Sequence, residues 1–449
     1  MEDTLAFDPM PPACEHLAAT RGAPDAPNAA QAPSFSTVRR IPRSHRATIA
    51  ALVAAAMLAV VAAALLDPTP SVGAPAGRRY VAQAASAGYI PDDPGKSGVA
   101  GGWTAVQWNF DGEYGVEAPV AWEHLIADGR PGGEGVIVAV LDTGVAYENY
   151  DRYQRSPDFE ADQFVKGYDF VARTTHPDDQ NGHGTFVAGT IAEATDNGVG
   201  LTGLAYGVKI MPVRVLNAQG EGDASTIAEG IRFATNHGAQ VINLSLEFTA
   251  EVTAADVPEL TSALAYAHEH GVVLVAAAGN QSSTDIAYPA RDKFVISVGA
   301  TTEDGCLAKY SNYGSGVDIV APGGGGDARL PGDSNCNPNG AAGRDIFQET
   351  FMGHNPRVFG LPGGYEGTSM ASPDVAATAA LVIASGVLGP HPTPAAVRYR
   401  IEATAKPLGA PSDQRDFGHG LVDAAAATAP GGPGAVGTTT SASGTTEAP

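Results

Sequence analysis

Basic residues are scarce in this chain of 449: 26 Lys and Arg stand against 49 Asp and Glu, a formal charge of -23. A nucleic-acid partner would require clustered cations to meet its phosphates, so nucleic acid is excluded as a partner and a self-repelling soluble surface is expected. Cysteine is scarcer still, with three residues, so at most one disulfide can close within the chain. Apolar runs long enough for a bilayer are represented by Ala47 to Leu66, which carries no charge. The stretch 67–104 lacks periodic apolar residues and is punctuated by Gly, Ala and Pro, which reads as a linker rather than a folded domain.

What is present begins with Gly367-Thr368-Ser369-Met370-Ala371-Ser372-Pro373. A glycine permits a tight turn before a serine, and the alanine-rich run Val375 to Ala384 predicts a buried helix. Ser369 then sits at a helix N-terminus, where unpaired amides and the positive end of the dipole favour negative charge. Taken alone, Gly-Thr-Ser before a helix is an N-cap. Two other segments change that reading. Gly135 to Leu141 predicts a central parallel strand ending in Asp142-Thr143-Gly144, which puts a carboxylate where open α/β sheets build sites. Asn181-Gly182-His183-Gly184 sets a histidine between glycines, ahead of a small-residue helix ending near Ala194. A serine hydroxyl is a poor nucleophile near neutral pH. It needs an imidazole to take its proton and a carboxylate to hold the imidazole's tautomer. Asp142, His183 and Ser369 are therefore the candidate catalytic residues.

These blocks resemble the signature segments of the subtilisin-like serine peptidases (subtilases), in that family's order Asp, His, Ser. The resemblance covers roughly residues 105 to 428, read here as the catalytic domain. It implies an α/β fold of three layers, a mostly parallel central sheet with helices on both faces, and a catalytic cycle that needs no cofactor. A strand candidate, Val272 to Ala278, is followed by Gly279-Asn280. The matching asparagine in subtilases gives its amide to the oxyanion beside the serine's backbone N–H, which assigns that role to Asn280; by itself Asn280 reads as a turn residue. The family's usual Ser-Pro-His is Ser372-Pro373-Asp374 here, which sets a carboxylate near the helix's first turns, where the dipole favours it. The family's pro-domain has no full counterpart in 67–104, whereas Ile90 to Pro94, Gln107-Trp108 and Ala121-Trp122 resemble the entry into a subtilase catalytic domain.

The remaining elements follow from periodicity. Strands are expected at Lys209 to Leu216, Val241 to Leu246, Phe294 to Ala300 and Val317 to Val320. Helices are expected at Thr226 to His237, Pro258 to His270 and Thr393 to Thr404. Gly323 to Gly367 is glycine-rich without periodicity and reads as a surface excursion; residues 429–449 read as a flexible low-complexity tail. Residues 1–46 read as a disordered cytoplasmic leader, because the basic stretch Arg39 to Arg46 precedes the apolar run and orients everything downstream outward. The run 47–66 is taken as a single-pass membrane anchor. Cleavage as a signal peptide, with secretion, is the alternative, and Ala74-Pro75-Ala76 or Ala85-Ser86-Ala87 are the candidate sites. On the outer side Cys306 and Cys336 are expected to pair, with two free thiols as the alternative, while Cys14 stays reduced.

Asp196-Asn197-Gly198 stands where many subtilases have a calcium loop, shortened here; Asp333, Asn335, Asn337 and Asn339 alternate oxygen ligands without the usual glycine and glutamate. Turn chemistry accounts for both, so structural calcium is left unassigned and no metal ligand is named. The resemblance also implies a substrate groove beside Ser245, Leu246 and Glu247, facing Ala277, Ala278 and Gly279, with Ala287 near the pocket base. The family's Ser-Leu-Gly-Gly is Ser245-Leu246-Glu247-Phe248 here. Strand alternation predicts that only one of Glu247 and Phe248 faces the groove: Glu247 would favour a basic residue before the scissile bond, and Phe248 small or apolar ones. The expected activity is extracytoplasmic serine endopeptidase acting on polypeptides. The alternatives are a processing peptidase of narrow specificity and a catalytically silent binding module on the same fold.

Overall fold

The apolar run that ends in Asp142 forms the strand β1 (Ile137–Asp142), at the middle of a parallel sheet. The computed structural model describes residues 88–249, 251–330, 335–353, 355–412 and 414–436. The leader, the run 47–66, most of the 67–104 stretch, Asp333 and the tail beyond 436 lie outside the described residues. The other strands of the sheet are β2 (Tyr168–Asp169), β3 (Lys209–Arg214), β4 (Val241–Leu244), β5 (Val273–Ala277), β6 (Val295–Thr301) and β7 (Ile319–Pro322). They lie in the order β2-β3-β1-β4-β5-β6-β7, every neighbouring pair parallel.

Parallel strands need crossovers, and helices supply them on both faces. They are α1 (Ala118–Ala127), α2 (His183–Ala192), α3 (Ala224–Asn236), α4 (Pro258–Glu269), α5 (Thr368–Ser385), α6 (Pro394–Thr404) and α7 (Ala424–Thr428). Alternation along the strands divides the core in two. Val138 and Val140 join the layer that holds α1, α2 and α5, while Ala139 and Leu141 join the layer that holds α3 and α4. The expected three-layer α/β architecture is therefore the one observed.

Some boundaries differ, each for a local reason. The β4 strand ends at Leu244, two residues short of the apolar run, because Ser245 turns to bond α5. Helix α3 begins at Ala224, since Asp223 caps it by accepting from the Thr226 amide. The 67–104 stretch is not linker throughout. Asp93 and Trp103 are fully buried, and the Trp103 indole packs edge-on against Trp122 at 5.5 Å and donates to the Pro91 carbonyl. Nor is Gly323 to Gly367 only a surface excursion: Ile346, Gln348 and Thr350 are fully buried, and a short hairpin, β8 (Thr350–Phe351) with β9 (Phe359–Gly360), follows them. Two of these buried residues, Gln348 and Thr350, are polar, so their burial leaves no apolar pattern to read.

The chain moves outward from β1 in two directions, to β3 on one side and β4 on the other. That reversal opens a crevice beyond the carboxyl ends of β1 and β4, the position where parallel α/β sheets gather functional groups.

Candidate active site

Asp142 closes β1 with its side chain completely buried. Its Oδ1 accepts from the Thr143 amide at 2.7 Å and lies 2.8 Å from Nδ1 of His183, while Oδ2 is buried without a hydrogen-bond partner. His183 is the first residue of α2, partly exposed at the cleft. The two segments approach closely because residue 184 is glycine: a Cβ there would stand 2.1 Å from the Gly144 carbonyl oxygen. Burial opposes charge on the imidazole, but the Asp142 carboxylate and its hydrogen bond outweigh it and raise the His183 pKa above 6.5.

Asp179, absent from the candidates read off the sequence, ties these two elements together. Its carboxylate accepts from Thr143 Oγ1, from the amides of Asn181 and Gly182, and from both the amide and hydroxyl of Thr185. The signal was available: an acid four residues ahead of His183 stands where the N-terminal amides of α2 need an acceptor.

Ser369 is the second residue of α5. Four residues on, Pro373 has no N–H to donate, which frees the Ser369 carbonyl from the helical ladder. Ser245 Oγ donates to that carbonyl at 2.8 Å, and Ser369 Oγ donates back to the Ser245 carbonyl at 3.2 Å. Ser245 Oγ in turn accepts from Asn243 Nδ2 at 2.9 Å. Thus the proline inside the helix and the serine after β4 together seat the nucleophile candidate.

Asn280 follows β5. Its Oδ1 accepts from the Thr368 amide at 2.8 Å and from Thr368 Oγ1 at 3.1 Å. A backbone amide can only donate, so this contact fixes which end of the carboxamide is oxygen and turns Nδ2 away from Thr368. That nitrogen lies 3.3 Å from Glu247 Oε1, and Oε2 of the same carboxylate accepts from the Asn280 amide at 2.9 Å.

A cleft of about 510 Å³ holds His183 and Ser369 with Ser245, Leu246, Glu247 and Phe248. Glu247 and Phe248 both line it, contrary to the alternation expected of them, because they lie past the end of β4 and strand geometry no longer governs them. Ala277, Ala278 and Gly279 do not line it. All three are buried, and Glu247 Oε2 would lie 2.5 Å from a Cβ placed on Gly279. Ala287 is likewise fully buried, its amide bonded to the Ala278 carbonyl.

Asp374 departs from the dipole argument. It is the seventh residue of α5, beyond the turn where the dipole acts, and is fully buried with neither carboxylate oxygen hydrogen-bonded. Burial holds its carboxyl well above 3.8.

Cys306 and Cys336 form a disulfide with Cα atoms 5.7 Å apart. Among the described residues, Asp158, Glu193 and Glu349 also converge, one carboxylate oxygen of each lying within 4.8 Å of the others. The Asp196–Gly198 loop lies beside them, and turn chemistry accounts for only part of it: Asn197 Oδ1 accepts from the Val199 amide, but Asn197 Nδ2 donates to Asp158 and the backbone amides of Asp196 and Asn197 donate to Asp93, all distant in sequence. Asn337 and Asn339 are similarly engaged, the Asn337 amide donating to Asp327 and the Asn339 amide to Asn337 Oδ1.

Comparisons with known proteins find similar chains. A family model described as the subtilase family matches residues 133–420. The chain is 38% identical over 288 residues to a thermophilic serine proteinase of Bacillus sp. (strain AK1), a match covering 63% of this chain and 61% of that protein. It is 36% identical over 313 residues to subtilisin Savinase of Lederbergia lenta, covering 70% of this chain and 96% of the relative. A solved protease structure from Pseudoalteromonas arctica PAMC 21717 superposes with a TM-score of 0.60 at 30% identity, over 76% of this chain and 99% of that one.

Proposed function

The chain belongs to the subtilase family of serine endopeptidases, and we propose that it hydrolyses polypeptides by attack of Ser369 Oγ on a peptide carbonyl. In this reading His183 takes the hydroxyl proton as the bond to carbon forms, then passes it to the departing amine. Asp142 accepts from Nδ1–H, which selects the tautomer and favours the imidazolium. Asn280 Nδ2 and the Ser369 backbone N–H receive the oxyanion, and water attacks the acyl-enzyme in the second half of the cycle. The observation that carries the reading is the 2.8 Å contact between Asp142 and His183 at the edge of a cleft that also holds Ser369. Attack requires the Ser369 hydroxyl to turn from the Ser245 carbonyl to Nε2 of His183. Catalytic hydrogen bonds commonly tighten only when substrate arrives.

The test is Ser369→Ala, assayed on a casein-derived peptide. Turnover should fall at least about ten-thousandfold with melting temperature unchanged. Hydrolysis at the wild-type rate by that variant would refute the assignment.

The catalytic body is proposed to lie outside the cytoplasmic membrane, held by residues 47–66, with basic residues on the inner flank supporting that orientation. Among the described residues no helix is long and apolar enough to cross a membrane. A hard divalent cation such as calcium fits the Asp158, Glu193 and Glu349 carboxylates, where Glu193 Oε2 is buried without a partner. There its two positive charges would offset the repulsion among three converging carboxylates, and it would take no part in the chemistry.

A further inference from the structure

Glu247 stands inside the cleft, and no step proposed above uses it. Its carboxylate grips Asn280 at two points, Oε2 accepting from the backbone amide at 2.9 Å and Oε1 from the side-chain Nδ2 at 3.3 Å. Thr368 holds the other end of that carboxamide, so Nδ2 has no freedom to swing elsewhere. The backbone is shaped to admit the acid: Gly279 has a φ of +115° and lacks the Cβ that would displace Oε2. Asn280 Nδ2 carries two hydrogens. One is engaged by Glu247, so a carboxylate stands on the same donor that must meet a negative oxygen during attack.

We propose that Glu247 is a latch on the oxyanion-binding amide, and that a basic side chain in the substrate releases it. The inference rests on the oxyanion role assigned to Asn280. While Glu247 remains on Nδ2, its charge opposes the oxyanion and weakens a donor that should stabilise the transition state. No lysine or arginine among the described residues lines the cleft, and the other carboxylate there, Glu221, adds to its negative character. The cation complementary to Glu247 must therefore come with the substrate, on the residue before the scissile bond. Pairing with an ammonium or guanidinium draws the carboxylate off Nδ2 and neutralises it. The binding energy of the basic side chain then appears as turnover rather than as affinity alone. Glu247 touches no reacting atom in this scheme and acts through Asn280, as a positioning residue.

The experiment uses two peptide anilides that differ only in lysine or norleucine before the scissile bond, with kcat and KM separated for wild type, Glu247→Gly, Glu247→Gln and each combined with Asn280→Ala. In wild type the lysine substrate should exceed the norleucine one in kcat by about tenfold or more, the scale of one charge-assisted hydrogen bond. Glu247→Gly should raise kcat on norleucine by a similar factor and bring the two substrates together. Glu247→Gln, which keeps the shape without the charge, should lie between. In the Asn280→Ala background the gain from Glu247→Gly should vanish. If Glu247→Gly lowers kcat equally on both substrates, or changes only KM, the latch is refuted. The underlying reading fails separately: Asn280→Ala with undiminished kcat would remove the oxyanion role itself, whereas a large loss in Asn280→Ala without any gain in Glu247→Gly would refute the latch alone.

Discussion

Replacing both Cys306 and Cys336 by serine tests how the segment between β6 and α5 is stabilised. Cys306 is buried in the loop after β6, and Cys336 lies in the long excursion that returns toward Ser369. The bond closes a loop spanning a sequence separation of 30 residues. Chain statistics for a loop of that length give about 12 cal/mol/K of lost unfolded-state entropy, or about 3.6 kcal/mol at 25 °C. Unfolding a body of roughly 350 residues near 60 °C carries an entropy of about 0.7 kcal/mol/K, so the double variant should melt about 5 °C lower. Native contacts near the bridge should keep the local fold: Thr302 Oγ1 and the Asn337 amide both donate to Asp327, pinning the excursion beside Cys306. Scanning calorimetry in a Ser369→Ala background, where self-digestion is absent, is the appropriate assay. A shift below about 1 °C, with the bond present in the parent protein, would show that the closed loop does not constrain the unfolded chain as reasoned.

Asp374→Asn removes a buried carboxyl whose pKa burial raises above 3.8. With the folded value raised, the native state binds the extra proton, so its contribution to stability is complete below about pH 4 and is lost as pH climbs through the raised value. The variant should therefore match wild type near pH 4 and melt progressively higher than it toward alkaline pH; parallel melting curves across that range would exclude the argument. If a divalent cation occupies the Asp158, Glu193 and Glu349 cluster, chelation should lower the melting temperature, added calcium should restore it, and Glu349→Gln should abolish the difference. An EDTA-insensitive melt would count against the site. If residues 47–66 anchor the enzyme, activity should sediment with membranes and resist high-salt washing, since a spanning helix is not held by charge; activity found wholly in the medium would favour cleavage instead.

The features legible in the sequence were those written locally. The runs before Asp142 and Asn280 are continuously apolar because parallel strands are buried on both faces, and their ends mark where functional groups emerge. His183 and Ser369 stood out because glycines flank or precede helix starts, a backbone signal readable within a few residues. What remained hidden depends on partners distant in sequence. The bond from Ser245 to the carbonyl that Pro373 frees spans 124 positions, so neither the early end of β4 nor the joint exposure of Glu247 and Phe248 can be read from alternation. The burial of Asp374 hides for a related reason: proximity to a helix start is visible, but the neighbours that remove water from the seventh position are not. The same limit applies to Glu247. Its residue type in place of glycine suggests a charged pocket wall, yet only the fold brings its carboxylate onto Asn280, 33 residues away. A substitution beside Asn280 therefore has to be judged by the hydrogen it engages before the pocket it borders.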